Sequence, residues 1–166
     1  MGMVRIARFR LKLLFMKIDI IAIGQLRKGP LFEVLESYRK RMIWSVNFIV
    51  YESKQRDERV KQREEHEKLA ASLSASAFVI AMDERGASLS SLKFADKLKD
   101  LQNQGRSHIQ FVIGGADGLG DDIRSRADLL LSFGAQTWPH MLARVMLLEQ
   151  IYRCQQILAG HPYHRQ

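Results

Sequence analysis

The sequence predicts an α/β fold, a largely parallel sheet flanked by helices, and three observations carry that expectation. Short β-branched or apolar runs alternate with longer amphipathic stretches along the chain. Two of those runs empty directly into glycine, at Ile23-Gly24 and at Ile113-Gly114-Gly115. No internal repeat, low-complexity tract or linker interrupts the 166 residues, 46% of them apolar, so a single domain with its own core is expected.

Taken in order, Ile18 to Ile23 reads as a buried strand, because β-branched side chains suit a pleated surface and Gly24 ends the run. Leu31 to Met42 reads as an amphipathic helix with Leu31, Val34, Leu35 and Tyr38 on its apolar stripe. Ser45 to Tyr51 is a second strand. Lys54 to Lys68 is dense in both charge signs and passes into Leu69-Ala70-Ala71, the pattern of a solvated helix laced with i,i+4 pairs. Its place after a strand also makes it a candidate mobile, RNA-facing element.

Ala77 to Met82 is a third strand, halted by Asp83-Glu84-Arg85-Gly86, and Ser88 to Asn103 is helical until Gly105 breaks it. Ile109 to Ile113 is a fourth strand. Ile123 to Leu131 reads as a helix, Phe133 to Trp138 as a short final strand, and Met141 to Ala159 as a long helix packing through Leu142, Val145, Met146, Ile151 and Leu158. Gly160 and Pro162 stop that helix, since glycine accepts a left-handed cap and proline cannot continue the spiral.

The formal charge of +8 invites a nucleic-acid partner, but half of it comes from Arg5, Arg8, Arg10 and Lys12. Residues 1–15 form a basic extension outside the fold expected for residues 16–166. Either a translated upstream stretch or a basic amphipathic helix touching RNA or membrane would account for it. No segment reaches membrane-spanning length. A single cysteine, Cys154, excludes an intrachain disulfide and a cysteine-rich zinc site. It suits a reducing cytoplasm, and within a helical pattern it reads as a small packing residue.

Three stretches carry candidate chemistry. In Phe111-Val-Ile-Gly-Gly-Ala-Asp-Gly118 an apolar strand runs into glycines, which let backbone approach a ligand with no Cβ between them. The spacing is not that of a dinucleotide turn and no phosphate-loop lysine follows. A formal GXXG match at Gly115 to Gly118 belongs to a different fold pattern, and a tight turn needing positive φ is the plain alternative. In Gly134-Ala-Gln-Thr-Trp-Pro-His140, small residues give way to an aromatic held extended by Pro139, a stretch able to offer main-chain hydrogen bonds to an adenine edge. Last, His161-Pro-Tyr-His-Arg-Gln166 gathers two imidazoles, a phenol and a guanidinium behind the helix stop. Arg144 and Arg153 read as solvated, although Arg153 sits close enough to the tail to grip a phosphate or carboxylate bidentately.

Together with Leu148-Glu-Gln-Ile-Tyr-Arg153, these motifs resemble the ribosomal RNA large subunit methyltransferase H family, the bacterial pseudouridine N3-methyltransferases of the SPOUT superfamily. The resemblance spans Met16 to Gln166 in motif order, spacing and terminal signature. It implies a C-terminal trefoil knot, a homodimer, and S-adenosylmethionine bound in the knot by Met82, Gly114, Phe133, Gly134, Ala135, Gln136, Thr137 and Trp138. Family members often carry Leu where this chain has Met82 and Trp138, and the apolar character is kept.

The implied reaction is methylation of N3 of a pseudouridine in 23S rRNA within the ribosome, in the cytoplasm, with no metal and no membrane. His164 is the expected base, since imidazole titrates near neutrality. Tyr163 would stack on or hydrogen-bond the uracil, and Arg153 and Arg165 would stabilise charge developing on its carbonyls or clamp a phosphate. One subunit's tail is expected to complete the other's pocket. A non-catalytic RNA-binding module of the same fold, and a methyltransferase acting on transfer RNA or a small molecule, are the rival readings.

Overall fold

The computed structural model describes residues 15–165, with backbone alone at 164 and 165. Apart from Phe15, the expected extension, residues 1–15, lies outside the described residues. Five strands form one sheet in the order β2-β1-β4-β3-β5, every neighbouring pair parallel. They are β1 (Lys17–Ile23), β2 (Ser45–Tyr51), β3 (Phe78–Ala87), β4 (His108–Ile113) and β5 (Leu129–Leu131). The helices between them are α1 (Pro30–Arg41), α2 (Glu58–Ala71), α3 (Ser91–Asn103), α4 (Asp121–Arg126) and α5 (His140–Leu158), and a 3₁₀ turn covers Pro162–Arg165.

Alternation along the central strands divides the interior in two. Ile18, Ile20, Phe78, Ile80, Ile109 and Phe111 face α1, α3 and α5 in the larger core, joined by Leu35, Phe94, Leu98, Leu147, Leu148 and Ile151. Ile21, Ile23, Val79, Ala81 and Val112 face α2 and α4 through Leu69 and Ile123. Met16 is fully buried, and so is Cys154, whose burial pushes its thiol pKa well up. Leu31 and Val34, placed on the apolar stripe of α1, are substantially exposed, while Leu35 supplies its buried anchor.

Caps fix where the helices begin. Asp57 accepts from the amides of Arg59 and Val60 ahead of α2, and Ser90 accepts from Lys93 ahead of α3, so α3 starts three residues later than Ser88.

Three elements depart from the sequence reading. The stretch 123–131 is not one helix: α4 stops at Arg126 and residues 129–131 become the edge strand β5. Asp128 decides this, because its amide donates to the Val79 carbonyl and its carboxylate accepts from the Val79 amide, tying the chain to β3. With β5 placed there, residues 133–138 form a loop and not the expected final strand. Likewise β3 is not halted at Asp83. It bulges and resumes until Ala87 pairs with Leu131. Gly86 permits that pairing, since a Cβ there would stand 2.5 Å from the Leu130 carbonyl carbon.

Candidate cofactor site at the carboxyl ends of the strands

In open α/β sheets ligands sit beyond the carboxyl ends of the strands. There this chain has a cavity of about 680 Å³, large enough for a nucleoside-sized ligand. Its floor and walls include Met82, Ile113, Leu131, Phe133 and Trp138, with Gly114, Gly134, Gln136 and Thr137 between them. All the residues expected at the cofactor site therefore meet on one cavity, except Ala135, which does not line it.

Gly114 has a reason to lack a side chain: a Cβ there would overlap the carbonyl of Gly118. The turn is folded on itself, with the Gly118 amide donating to the Gly115 carbonyl at 3.0 Å and positive φ at Gly118, not at Gly114. Close backbone approach, more than left-handed geometry, is thus what Gly114 supplies.

The rim carries charge that the sequence reading missed. Asp83, Glu84 and Asp117 line the cavity beside Arg85 and Arg124. Arg124 is already committed, with Nε 2.7 Å from Asp83 and Nη1 2.7 Å from Asp121. Burial works to raise the Asp83 carboxyl, but hydrogen bonds from the Arg124 side chain and the Arg85 amide prevail and hold it below the usual carboxylate range. The signal available in advance was the bulged Asp83-Glu84-Arg85-Gly86 segment itself, read as a stop instead of as a rim.

His140 opens α5 and lines the same cavity. One turn later Arg144, expected to be solvated, is fully buried. Its guanidinium donates to the carbonyls of Ile23 at 2.6 Å, Gly24 at 2.8 Å and Gln25 at 3.2 Å, while its Nε has no partner. Arg144 thereby pins the end of β1 to the start of α5.

The expected catalytic group is elsewhere. Arg153 is half-buried on α5 and donates to Glu149 at 2.6 and 2.9 Å. Its guanidinium lies over the Tyr163 ring, whose phenol donates to Glu149 at 3.3 Å and whose face meets Tyr152 edge-on. Burial and the neighbouring Tyr38 phenol push the Tyr163 hydroxyl pKa well up, so it stays protonated as a donor. His164 and Arg165 continue this turn, with side chains outside the described residues. At about 1.5 Å per residue, Glu149 and Arg153, onto which Tyr163 folds back, lie roughly 14 and 20 Å along α5 from His140, and neither they nor Tyr163 line the cavity. Within one chain the two groups do not share a site.

A sequence model described as "Predicted SPOUT methyltransferase" matches residues 16–164. The chain belongs to the SPOUT methyltransferase family. Among its relatives, a protein of Rhodospirillum centenum named ribosomal RNA large subunit methyltransferase H is 49% identical over 152 residues, covering 90% of this chain and 99% of that protein. The proteins of the same name from Rhodopseudomonas palustris and Zymomonas mobilis are 45% and 42% identical, at 90% and 91% of this chain and 99% of each relative. Among the described residues of this SPOUT chain, no helix is long and apolar enough to cross a membrane and no group of three or more His, Cys, Asp or Glu is placed to hold a metal.

Proposed function

We propose that this SPOUT protein methylates N3 of a pseudouridine in 23S rRNA of the assembled ribosome, using S-adenosylmethionine, and that it works in the cytoplasm as a knotted homodimer. The observation that carries the cofactor assignment is the cavity enclosed by the Gly114 turn and the 133–138 loop, with a rim holding more acids than bases. Apolar walls suit an adenine, glycine backbone permits close approach, and the acidic excess suits a cation. Met82, Gly114 and residues 133–138 would hold the cofactor. It supplies a methyl group on a sulfonium, ready for transfer to a nucleophile without a metal. The relatives' printed name supports ribosomal RNA as substrate.

The distance along α5 supports a dimer. A tail held on Glu149 and Arg153, roughly 14 and 20 Å along α5 from His140 and outside the cavity lining, is better placed to complete a neighbour's cavity than its own, and half-exposed Leu31 and Val34 on α1 offer apolar surface for such a contact. The knot is supported by the chain after β5, which returns past the carboxyl ends of β3 and β4 to place Arg144 against the end of β1. In the composite site His164 takes the N3 proton, Tyr163 and Arg153 orient the uracil, and Arg165 stabilises its carbonyl charge.

Calorimetry with S-adenosylmethionine tests the cofactor, with saturable binding expected. Mass spectrometry of rRNA nucleosides from a deletion strain tests the substrate, and loss of one methylated pseudouridine is the expected result. An unchanged nucleoside profile would remove the rRNA assignment.

A further inference from the structure

Among the described residues, His140 is the one histidine lining the cavity. The charged groups about it are Arg144 on its own helix, Glu65 on α2, and the rim residues Asp83, Glu84, Arg85, Asp117 and Arg124. Arg144 matters most of these. Its guanidinium is buried, donates to three main-chain carbonyls and meets no carboxylate among the described residues, so its charge stands beside the imidazole without an ion-pair partner there. Glu65 is also buried, with Oε1 accepting from the Ser53 amide at 3.2 Å, and it offsets Arg144 only in part. Burial first and Arg144 second push the His140 imidazole below the ordinary histidine pKa, with Glu65 opposing. The imidazole is therefore neutral at pH 7.

The cofactor assigned above and its demethylated product differ at sulfur, a sulfonium cation in one and a neutral thioether in the other. A wall residue that can acquire positive charge, backed by the buried Arg144 guanidinium one turn behind it, discriminates between them by Coulomb repulsion. We propose that His140 is the residue through which this cavity separates cationic donor from neutral product: uncharged, it admits S-adenosylmethionine; protonated, it repels the sulfonium and leaves S-adenosylhomocysteine binding unaltered. This rests on the methyltransferase reading, and it assigns His140 a part in cofactor selection, separate from the tail residues.

The test is calorimetric titration of the full chain with each compound between pH 5.5 and 8. Below the His140 pKa, S-adenosylmethionine affinity falls by up to about tenfold per pH unit, because binding and protonation exclude one another. S-adenosylhomocysteine affinity stays flat. The His140→Gln protein shows no such slope, and Glu65→Gln moves the midpoint to lower pH by removing the opposing carboxylate. In NMR of histidine-labelled wild-type protein, the His140 titration shifts down with S-adenosylmethionine and stays put with the product. Parallel decline of both affinities, a slope that survives in His140→Gln, or equal NMR shifts with both compounds would each overturn the proposal. Failure of either compound to bind at pH 8 would instead strike the methyltransferase reading itself.

Discussion

Asp83 at the bulge of β3 and Arg124 on α4 are joined by a 2.7 Å contact between Oδ2 and Nε, which closes one side of the cavity. The Asp83 side chain is only 6% exposed. Removing each partner therefore has unequal consequences. Arg124→Met strands a buried carboxylate, whereas Asp83→Asn leaves Arg124 its second partner, Asp121. Urea melts are expected to rank Arg124→Met as the less stable of the two.

The same contact sets an acid limb. Since the folded Asp83 pKa is depressed, its contribution is complete above the unfolded carboxylate value of roughly 4 and disappears as pH falls through the folded value. Stability of the wild type should drop over that window, and Asp83→Asn should flatten the drop. Parallel curves would show that the pair contributes nothing.

Gly114→Ala places a methyl group against the Gly118 carbonyl. The turn must open, at a cost of about 1–3 kcal/mol typical of an overfilled site, and the cavity changes shape. Thermal melts should register the loss, and S-adenosylmethionine binding should weaken more than the melting shift alone would suggest.

Arg144→Met leaves the carbonyls of Ile23, Gly24 and Gln25 without their donor. With hydrogen bonds to charged groups contributing about 1.5–3 kcal/mol each, a destabilisation of at least about 3 kcal/mol is expected. A near-neutral result in denaturant titration would mean that water replaces the guanidinium at no cost.

The composite sites proposed above make a complementation test possible. Chains lacking residues 161–166 and chains carrying Gly114→Ala are each expected to be inactive alone. Mixed dimers should recover part of the activity, since one of their two sites is whole. No recovery in verified mixed dimers would place the tail's action elsewhere.

Much of this was legible in the residue pattern, and the exceptions share a cause. β2 was readable from Ser45 to Tyr51 because Val46, Phe48 and Val50 alternate within a run bounded by polar residues. The long C-terminal helix was readable from its length, its apolar spacing and its Gly160 stop. β5 was not, because Ile123, Ala127, Leu130 and Leu131 fit a helical spacing. What overrides it is a pair of bonds between Asp128 and Val79, 49 positions apart. Arg144 was hidden for the same reason: the carbonyls it binds belong to the last residue of β1 and the turn after it, 119 to 121 positions earlier. Local periodicity announces elements; it does not announce the distant partner that changes one.

Because α5 begins at the cavity wall and carries Glu149 and Arg153 of the aromatic and guanidinium cluster about two to four turns on, it acts as a ruler between the two. One inserted residue would advance its far end by about 1.5 Å and swing it by about 100°. Placed between His140 and Glu149, such a change would re-aim the Tyr163 turn while leaving every side chain intact. For the proposed composite site, the spacing along this rod matters as much as the chemistry it carries.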